Sequence, residues 1–408
     1  MSKEGSIMKY NFDEIIDRKN TDALNYDGWR QYIFKADKNA RFDFKDDEFV
    51  RMWVADMDFA TPPEILAAIK ERLDKKILGY TKVYDDEYYH IFHNWCQRRY
   101  DWNIDTAEIV LSPGIIPALN RLVPLLTQQD ESVLINTPSY TPFKQAGDYS
   151  YRRVICSDLL EQDNEYVIDF DDMETKLTDP SLNIKLFILS NPQNPTGKVW
   201  SEQELMRMGQ LCLENDVWII SDEIHCDLLR NGISHIPMAK LFPDTDKIIT
   251  CMAPSKTFNL AGNLMSHIFI KNEKIRKEWL RLYDEFLSPL SVAATKAAWS
   301  RCDEWLEQLK HYLDDNFRLV EKFTQEHFPD ANFKIPDATY LAWINIEKYL
   351  PPQVDRQQLS LYFANQTGIL LEGGNMFVSN GDGYIRINLA CPRAVVQEGL
   401  ERIRKALK

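Results

Sequence analysis

Six short apolar segments constrain the fold of this chain more than any other feature of its sequence. They lie between about residues 109 and 271, separated by stretches with a helical period, and read EIVLS, ESVLINTP, KLFILSNP, VWIISDE, KIITCMAP and SHIFIK. Buried strands that alternate with helices are typical of a parallel sheet whose strands are joined by crossover helices. We therefore predict an α/β protein with a large, doubly wound, mostly parallel sheet domain.

The two ends of the chain predict a second, smaller α+β domain. Residues 295–328 carry apolar side chains at a helical period, and the later segments TYLAWINI and GYIRINLA have the composition of strands. We expect residues 296–408 to form this small domain, residues 1–55 to join it, and residues 56–295 to form the large domain.

Composition excludes several classes of protein. The chain has 408 residues, 44% of them hydrophobic, which is enough for a large buried core. Its net charge of −14 argues against nucleic acid as a ligand, because phosphate binding needs a basic face. No apolar run is long enough to span a bilayer, and the amino terminus has no apolar export signal. Its seven cysteines form no C-x-x-C pair, which favours a reducing cytoplasm and no bound metal.

Side chains that could take part in catalysis or ligand binding follow four of the predicted strands, at the point where each strand ends. The residues are Tyr140, Asn194, Asp222 with His225, and Lys256. Because the carboxyl ends of parallel strands meet at one edge of a sheet, we expect these side chains to lie close together. A lysine at a buried strand end is costly unless its charge is removed or used, and one use is a covalent bond to a carbonyl carbon.

This set of groups matches the needs of an aldehyde cofactor with a pyridine ring. Lys256 would bind the aldehyde and Asp222 would keep the ring nitrogen protonated, so that the ring accepts electrons. The amide of Asn194 would hydrogen-bond the ring hydroxyl, and Tyr140 would stack on the ring. The sequence therefore predicts pyridoxal 5′-phosphate as the cofactor.

A phosphate on that cofactor needs backbone N–H groups at the start of a helix. The segment LSPGIIPALNRLV offers Gly114, Ile115 and Ile116 at a turn that opens an amphipathic helix. Glycine at this turn would permit close approach of the backbone to the phosphate. We predict that these three residues bind it.

Each of these residues has a simpler structural interpretation when it is taken alone. Lys256 would then be a surface lysine, Asp222 a helix cap and Tyr140 a core aromatic. His225 would be a core histidine with its hydrogen bonds satisfied, and Gly114 an ordinary turn glycine. The combination favours the functional interpretation, because the elements occur in the order and strand-end context that the cofactor requires.

Several longer segments resemble a known family. NPQNPTGK, SDEIH and APSKTFNLAG resemble the signature of fold type I, aspartate-aminotransferase-like pyridoxal phosphate enzymes, and the resemblance extends over nearly the whole chain. MWVADMDFATPPEI, SDEIHCDL, TYLAWIN and RINLACPR resemble the cystathionine β-lyase branch called MalY/PatB. This resemblance implies that Lys256 carries the cofactor and that Asp222 pairs with the pyridine nitrogen. It also implies that Arg386, with Asn194, binds the substrate carboxylate through a planar guanidinium.

Two departures from the wider aminotransferase pattern bear on the phosphate site. His225 stands where many aminotransferases have a tyrosine, and Leu264 stands where many have a phosphate-binding arginine. We therefore expect the phosphate to be held by backbone N–H groups, Ser255 and Tyr80. In the family a tyrosine like Tyr80 reaches the cofactor of the neighbouring subunit, which implies a homodimer with shared active sites.

Three functions are compatible with these features. The first is a carbon–sulfur β-lyase that releases pyruvate, ammonia and a thiol from an amino acid, the second an aminotransferase, and the third a cofactor-binding regulator. Regulators of this fold usually carry a DNA-binding domain first, and only about 50 residues of acidic composition precede MWVADMDF. Residue types do not separate the lyase from the aminotransferase, so the lyase prediction depends on the family-like segments.

Overall fold

The computed structural model describes residues 9–407, so residues 1–8 of the predicted amino-terminal segment and residue 408 lie outside the described residues. The strands are β1 Val50–Arg51, β2 Ile109–Ser112, β3 Ser132–Thr137, β4 Arg153–Gln162, β5 Glu165–Ile168, β6 Ile184–Ser190, β7 Trp218–Asp222, β8 Ile248–Met252, β9 Ser266–Ile270, β10 Leu341–Asn345, β11 Ile369–Leu370, β12 Glu372–Gly373 and β13 Tyr384–Asn388.

The helices follow the same numbering along the chain. They are α1 Leu24–Asp27, α2 Trp29–Phe34, α3 Pro63–Leu73, α4 Asp86–Tyr100, α5 Ile115–Leu126, α6 Thr141–Tyr149, α7 Phe170–Thr178, α8 Glu202–Glu214, α9 Pro254–Thr257, α10 Glu273–Tyr283, α11 Pro289–Arg301, α12 Asp303–His327, α13 Leu359–Thr367 and α14 Arg393–Ala406. Within residues 9–407, none of these helices combines the length and the apolar character that crossing a membrane requires.

The large sheet has the strand order β2-β9-β8-β7-β6-β3-β4-β5. Strands β8, β7, β6, β3 and β4 pair in parallel, and all six predicted segments form strands of this sheet. The predicted α/β fold with a large, mostly parallel sheet is therefore confirmed. The sheet also contains the antiparallel hairpin of β4 and β5, which the sequence analysis did not identify.

One strand prediction is wrong in direction. The segment SHIFIK forms β9, which runs antiparallel to both of its neighbours, β2 and β8. The link from β8 to β9 contains only the four-residue helix α9 and a short 3-10 turn, so no crossover helix carries the chain back across the sheet. This link instead places Lys256 beside the carboxyl ends of the parallel strands.

Apolar cores lie on both faces of the large sheet. Val133 and Ile135 of β3 pack with α5 and α6, whereas Leu134 packs with α7 and α8 on the opposite face. Side chains alternate between the two faces along a strand, and a sheet covered on both faces has strands that are apolar at nearly every position. The six apolar segments of the sequence reflect this double burial.

The carboxyl-terminal strands form a smaller antiparallel sheet in the order β10-β13-β12. The amino-terminal strand β1 pairs in parallel with β11, and Trp29 and Trp53 are buried against Leu370. The amino-terminal residues therefore pack on the carboxyl-terminal part of the chain. The domain boundaries stay a prediction, and the one at 295/296 falls inside α11.

A pair of glycine substitutions tests this packing of the chain ends. Gly368 and Gly232 both have a positive φ, 65° and 85°, so alanine at either site costs roughly 1–2 kcal/mol of backbone strain. At Gly368 a Cβ would also lie 2.9 Å from the Phe44 ring, whereas at Gly232 it meets nothing within 4 Å. We expect Gly368→Ala to reduce the free energy of unfolding by about 1–3 kcal/mol more than Gly232→Ala, measured by urea denaturation. Equal losses would contradict the packing of Phe44 at this site.

Candidate active site

The carboxyl ends of the parallel strands meet at a cavity of about 240 Å³. Its wall includes all but two of the predicted site residues, namely Gly114, Ile115, Ile116, Tyr140, Asn194, Asp222, His225, Ser255 and Lys256. The two exceptions, Arg386 and Tyr80, are described below. The fold therefore brings most of the predicted residues together, while their individual roles stay predictions.

Lys256 lies on α9, directly after β8, with its side chain deep in the protein and partly exposed to the cavity. Its Nζ donates a hydrogen bond to the carbonyl oxygen of Ala55. Burial lowers the pKa of Lys256 to about 8; the positive charge of Arg386 also lowers it, and the negative charge of Asp56 raises it. A substantial fraction of this amine is therefore neutral near pH 8 and can act as a nucleophile or a base.

Asp222 is the last residue of β7 and is buried at the cavity wall. Burial raises the pKa of its carboxyl to about 7, although a hydrogen bond of 3.1 Å from the backbone N–H of Ile224 to Oδ1 acts in the opposite direction. A cation placed beside this carboxylate would favour its ionised form. The site therefore suits a ligand with a protonated ring nitrogen.

His225 and Tyr140 add two neutral aromatic groups to the wall. Burial, with the positive charges of Lys256 and Arg386, lowers the pKa of His225 to about 3, so its imidazole carries no charge near neutral pH. Burial also raises the pKa of the Tyr140 phenol well above its usual value. The Nδ1 atom of His225 is buried and has no hydrogen-bond partner within residues 9–407. The two residues therefore offer neutral aromatic side chains to a ligand in the cavity.

The amino terminus of α5 lies on the same wall. Gly114 is its N-cap residue and supplies no side chain, so the N–H groups of Ile115 and Ile116 receive no side-chain cap. Free N–H groups at a helix start bind anions. Two serines, Ser255 of α9 and Ser266 of β9, add hydroxyl groups nearby on the cavity wall.

Arg386 lies on β13, is almost completely buried, and does not line the cavity itself, although its partner Asn194 does. Its Nη1 donates to Oδ1 of Asn194 at 2.8 Å, and its Nη2 donates to the carbonyl oxygen of Trp53 at 3.5 Å. The guanidinium also forms an ion pair with Glu372 and lies 4.9 Å from the centre of the Phe377 ring. Arg386 thus links the small sheet to the wall of the cavity.

Tyr80 does not lie at the cavity of its own chain. Its side chain is 91% exposed, and its ring packs on Phe286 with the ring centres 4.7 Å apart. The structure therefore does not bring Tyr80 together with the other predicted site residues of this chain.

Sequence reasoning missed four residues of this region: Ala55, Asp56, Ser266 and Glu372. Ala55 and Asp56 belong to the segment MWVADMDFATPPEI, which is family-like but to which no role was assigned. Glu372 lies outside the family-like segments, and its position opposite Arg386 depends on the pairing of β12 with β13. Only the strand register brings these two side chains together.

The donor set of the cavity fits pyridoxal 5′-phosphate. Asp222 suits the protonated ring nitrogen, the amide of Asn194 suits a polar ring substituent, and the uncapped α5 suits a phosphate. The partly neutral amine of Lys256 suits an aldehyde.

Comparison with known proteins gives concordant results. The sequence model described as aminotransferase class I and II matches residues 48–403. The chain is 38% identical to cystathionine β-lyase PatB of Bacillus subtilis (strain 168), over 97% of this chain and 100% of that protein. It is 30% identical to protein MalY of Escherichia coli (strain K12), over 98% and 99% respectively. A solved structure of the PLP-bound C–S lyase from Staphylococcus hominis with the inhibitor L-cycloserine matches with a TM-score of 0.93 and 48% identity, over 98% of this chain and 99% of that one.

Chemical labelling of the cofactor-free protein tests the state of Lys256. Reductive methylation needs a neutral amine, so the rate at Lys256 should reach half its maximum near pH 8, well below the ordinary lysine pKa of 10.5. The pH of the half-maximal rate should rise in Arg386→Gln, because this variant lacks a positive charge near Lys256. It should fall in Asp56→Asn, because this variant lacks a negative charge. Peptide mass spectrometry reports the site. A midpoint near 10.5 in all three proteins would contradict the low pKa.

Proposed function

This chain belongs to the class I and II aminotransferase family, and from that premise we infer that it is a pyridoxal 5′-phosphate-dependent carbon–sulfur β-lyase. The predicted MalY/PatB branch is confirmed by full-length identities of 30% and 38%. We propose that it acts on an amino acid with sulfur at Cβ and releases pyruvate, ammonia and a thiol. We choose the lyase over the aminotransferase because the chain is similar to cystathionine β-lyase PatB over its full length.

The cavity residues divide into those that would hold the cofactor and those that would act on the substrate. We propose that Asp222 pairs with the ring nitrogen and that Tyr140 and His225 contact the ring. The phosphate would be held at the amino terminus of α5 by the N–H groups of Gly114, Ile115 and Ile116, together with the hydroxyl of Ser255. When bound, the cofactor supplies a ring that accepts the electron pair left on Cα after its proton is removed.

The protein's own part in the reaction begins with orientation. Arg386 would bind the α-carboxylate through its planar guanidinium, and Asn194, which already accepts a hydrogen bond from Arg386, would fix its direction. This contact would present the Cα proton to Lys256, whose lowered pKa makes it a base near neutral pH. The sulfur would then leave from Cβ as a thiolate.

A product assay tests the reaction type. With a cysteine S-conjugate such as cystathionine and no added keto acid, we expect pyruvate, ammonia and thiol in equal amounts, because elimination from Cβ needs no second substrate. Serine should react far more slowly, because hydroxide is a poorer leaving group than a thiolate. Lys256→Ala should form none of these products and serves as the control. Pyruvate that appears only with an added keto acid, with no thiol released, would favour the aminotransferase instead.

We further propose a homodimer in which Tyr80 reaches the active site of the partner. The surface around Tyr80 is apolar and exposed, with Ile77 71%, Leu78 58%, Tyr84 85% and Phe286 60% exposed. Exposed apolar patches of this kind usually mark protein–protein contacts. The position of Tyr80, away from the cavity of its own chain, supports a role across an interface rather than within one subunit.

Subunit mixing tests the shared site. Tyr80→Phe and Lys256→Ala each inactivate every site of their own homodimer if Tyr80 serves the partner. In a mixed dimer, one of the two sites would contain both native residues, so activity should rise towards about a quarter of the wild-type value when equal amounts exchange randomly. Exchange is verified by tagging one variant. An inactive mixture, in spite of verified exchange and a wild-type control that survives the procedure, would contradict shared sites.

We also propose a cytoplasmic location. All seven cysteines are free, and six of them are buried. Free thiols in this number are typical of a reducing compartment.

A further inference from the structure

Glu372 lies beside the residue that we assign to the substrate carboxylate. In the register of the small sheet, Glu372 of β12 is directly opposite Arg386 of β13, so both side chains point to the same face. The two residues are 7% and 3% exposed, and their side chains form an ion pair. Glu372 therefore presents to Arg386 the same chemical group that an amino-acid substrate would present.

The other contacts of Arg386 leave little room for two carboxylates. Its Nη1 donates to Asn194, its Nη2 faces both Glu372 and the carbonyl oxygen of Trp53, and its buried Nε has no partner within residues 9–407. Both edges of the guanidinium that could take a carboxylate with two hydrogen bonds, Nη1 with Nη2 and Nε with Nη2, include Nη2, which already has these two contacts. A guanidinium binds a carboxylate best through two parallel hydrogen bonds, which need two neighbouring nitrogens with free hydrogens. A second carboxylate would also be repelled by the first in this buried setting. The observed ion pair and a bidentate substrate contact are thus competing arrangements.

We propose that Glu372 occupies the carboxylate-binding edge of Arg386 and must release it when the substrate binds, so that binding exchanges one carboxylate for another. This inference depends on the proposed role of Arg386 in substrate binding. It makes Glu372 a residue that sets affinity and takes no part in the chemistry at Cα.

The exchange should be coupled to a proton. Burial raises the pKa of Glu372, and the positive charges of Arg386 and Lys256 lower it. When a substrate carboxylate takes over Arg386, Glu372 loses that stabilising contact and gains an anion nearby, so its pKa rises further. Glu372 then takes up a proton from solvent, and affinity for carboxylates should fall as pH rises.

Few other titratable groups face Glu372. Tyr32 of α2 and Tyr140 lie close enough for the charge of Glu372 to raise the pKa of each phenol, and both phenols are neutral at physiological pH. Helix α13, which packs against β12, has no charged residue. Arg356, on the turn next to β12, is paired with Glu347 on the surface.

Lys256 also acts on Glu372 and has a pKa of about 8 in the cofactor-free protein. In the cofactor-bound enzyme its amine would be held by the cofactor, so the proton uptake is assigned to Glu372.

Two other roles for Glu372 make different predictions. If Glu372 only orients Arg386, removing its charge should weaken the binding of every carboxylate. If it binds a second ammonium group of a larger substrate, removing its charge should weaken the binding of cystathionine but leave S-methylcysteine unaffected. The exchange instead predicts tighter binding of both substrates. Glu372→Gln removes the carboxylate that competes for Arg386, so KM should fall for cystathionine and for S-methylcysteine while kcat changes little.

Calorimetry with an unreactive carboxylate provides a direct test. The probe is 3-(methylthio)propionate, which keeps the carboxylate and sulfur of S-methylcysteine and has no amino group, added to the cofactor-bound enzyme. Titrations between pH 5.5 and 8.5, in buffers of different ionisation enthalpy, give the number of protons taken up. We expect proton uptake by the wild-type protein in part of this range and about tenfold tighter binding by Glu372→Gln, with the uptake reduced. Glu347→Gln, which removes an exposed charge in the same part of the chain, should behave like the wild type.

The outcomes separate this inference from the proposed function. Unchanged probe affinity in Arg386→Lys would overturn the carboxylate site itself, and the pyruvate assay tests the lyase reaction independently. The proposed exchange is wrong if probe binding requires Arg386 but Glu372→Gln binds the probe no more tightly than the wild type. It is also wrong if Glu372→Gln raises KM for the two substrates. The proton uptake of the wild-type protein needs no variant, so its absence throughout the range overturns the proposal even if Glu372→Gln does not fold.

Discussion

Burial of the Lys256 amine is the constraint on which the rest of the site depends. An ammonium group in this position loses hydration, and its pKa falls to about 8. The cost is limited by the Ala55 carbonyl, which accepts a hydrogen bond from Lys256 and another from the hydroxyl of Tyr340. The turn that carries Lys256 is held in place because the neighbouring Thr257 donates to the buried carboxylate of Asp227 at 2.8 Å. The lysine is therefore both reactive and fixed in direction.

Burial lowers the pKa of the Lys256 amine but raises the pKa of the carboxyl groups around the cavity. It raises the pKa of Asp222 to about 7 and also raises that of Glu372, so each is drawn towards its neutral form unless a cation lies beside it. Arg386 brings a guanidinium next to Glu372, with which it forms an ion pair. The buried charges therefore depend on one another, and a ligand that brings a carboxylate or a ring cation changes the protonation of groups it does not touch.

Both ends of the chain contribute to this charge balance. The large sheet delivers Asp222 and Lys256, whereas Arg386 and Glu372 come from neighbouring strands of the small sheet. The amino-terminal segment contributes the carbonyl oxygens of Trp53 and Ala55, which receive hydrogen bonds from Arg386 and Lys256. A shift of the small sheet against the large one would therefore change how a substrate carboxylate is oriented relative to the base.

The sequence by itself determined the parts of this protein that depend on local pattern. Apolar runs with capable residues at their ends predicted the sheet, its carboxyl edge and the cavity residues Tyr140, Asn194, Asp222 and Lys256, because strand burial and strand-end position are both visible in the order of residues. Tertiary structure decided what depends on register and direction. It reversed β9, since the link from β8 forms no crossover helix, and it set Glu372 against Arg386 through the pairing of β12 with β13. Long-range strand pairing is determined by the packing of the whole chain, so no local sequence pattern predicted that the buried carboxylate of Glu372 would face Arg386.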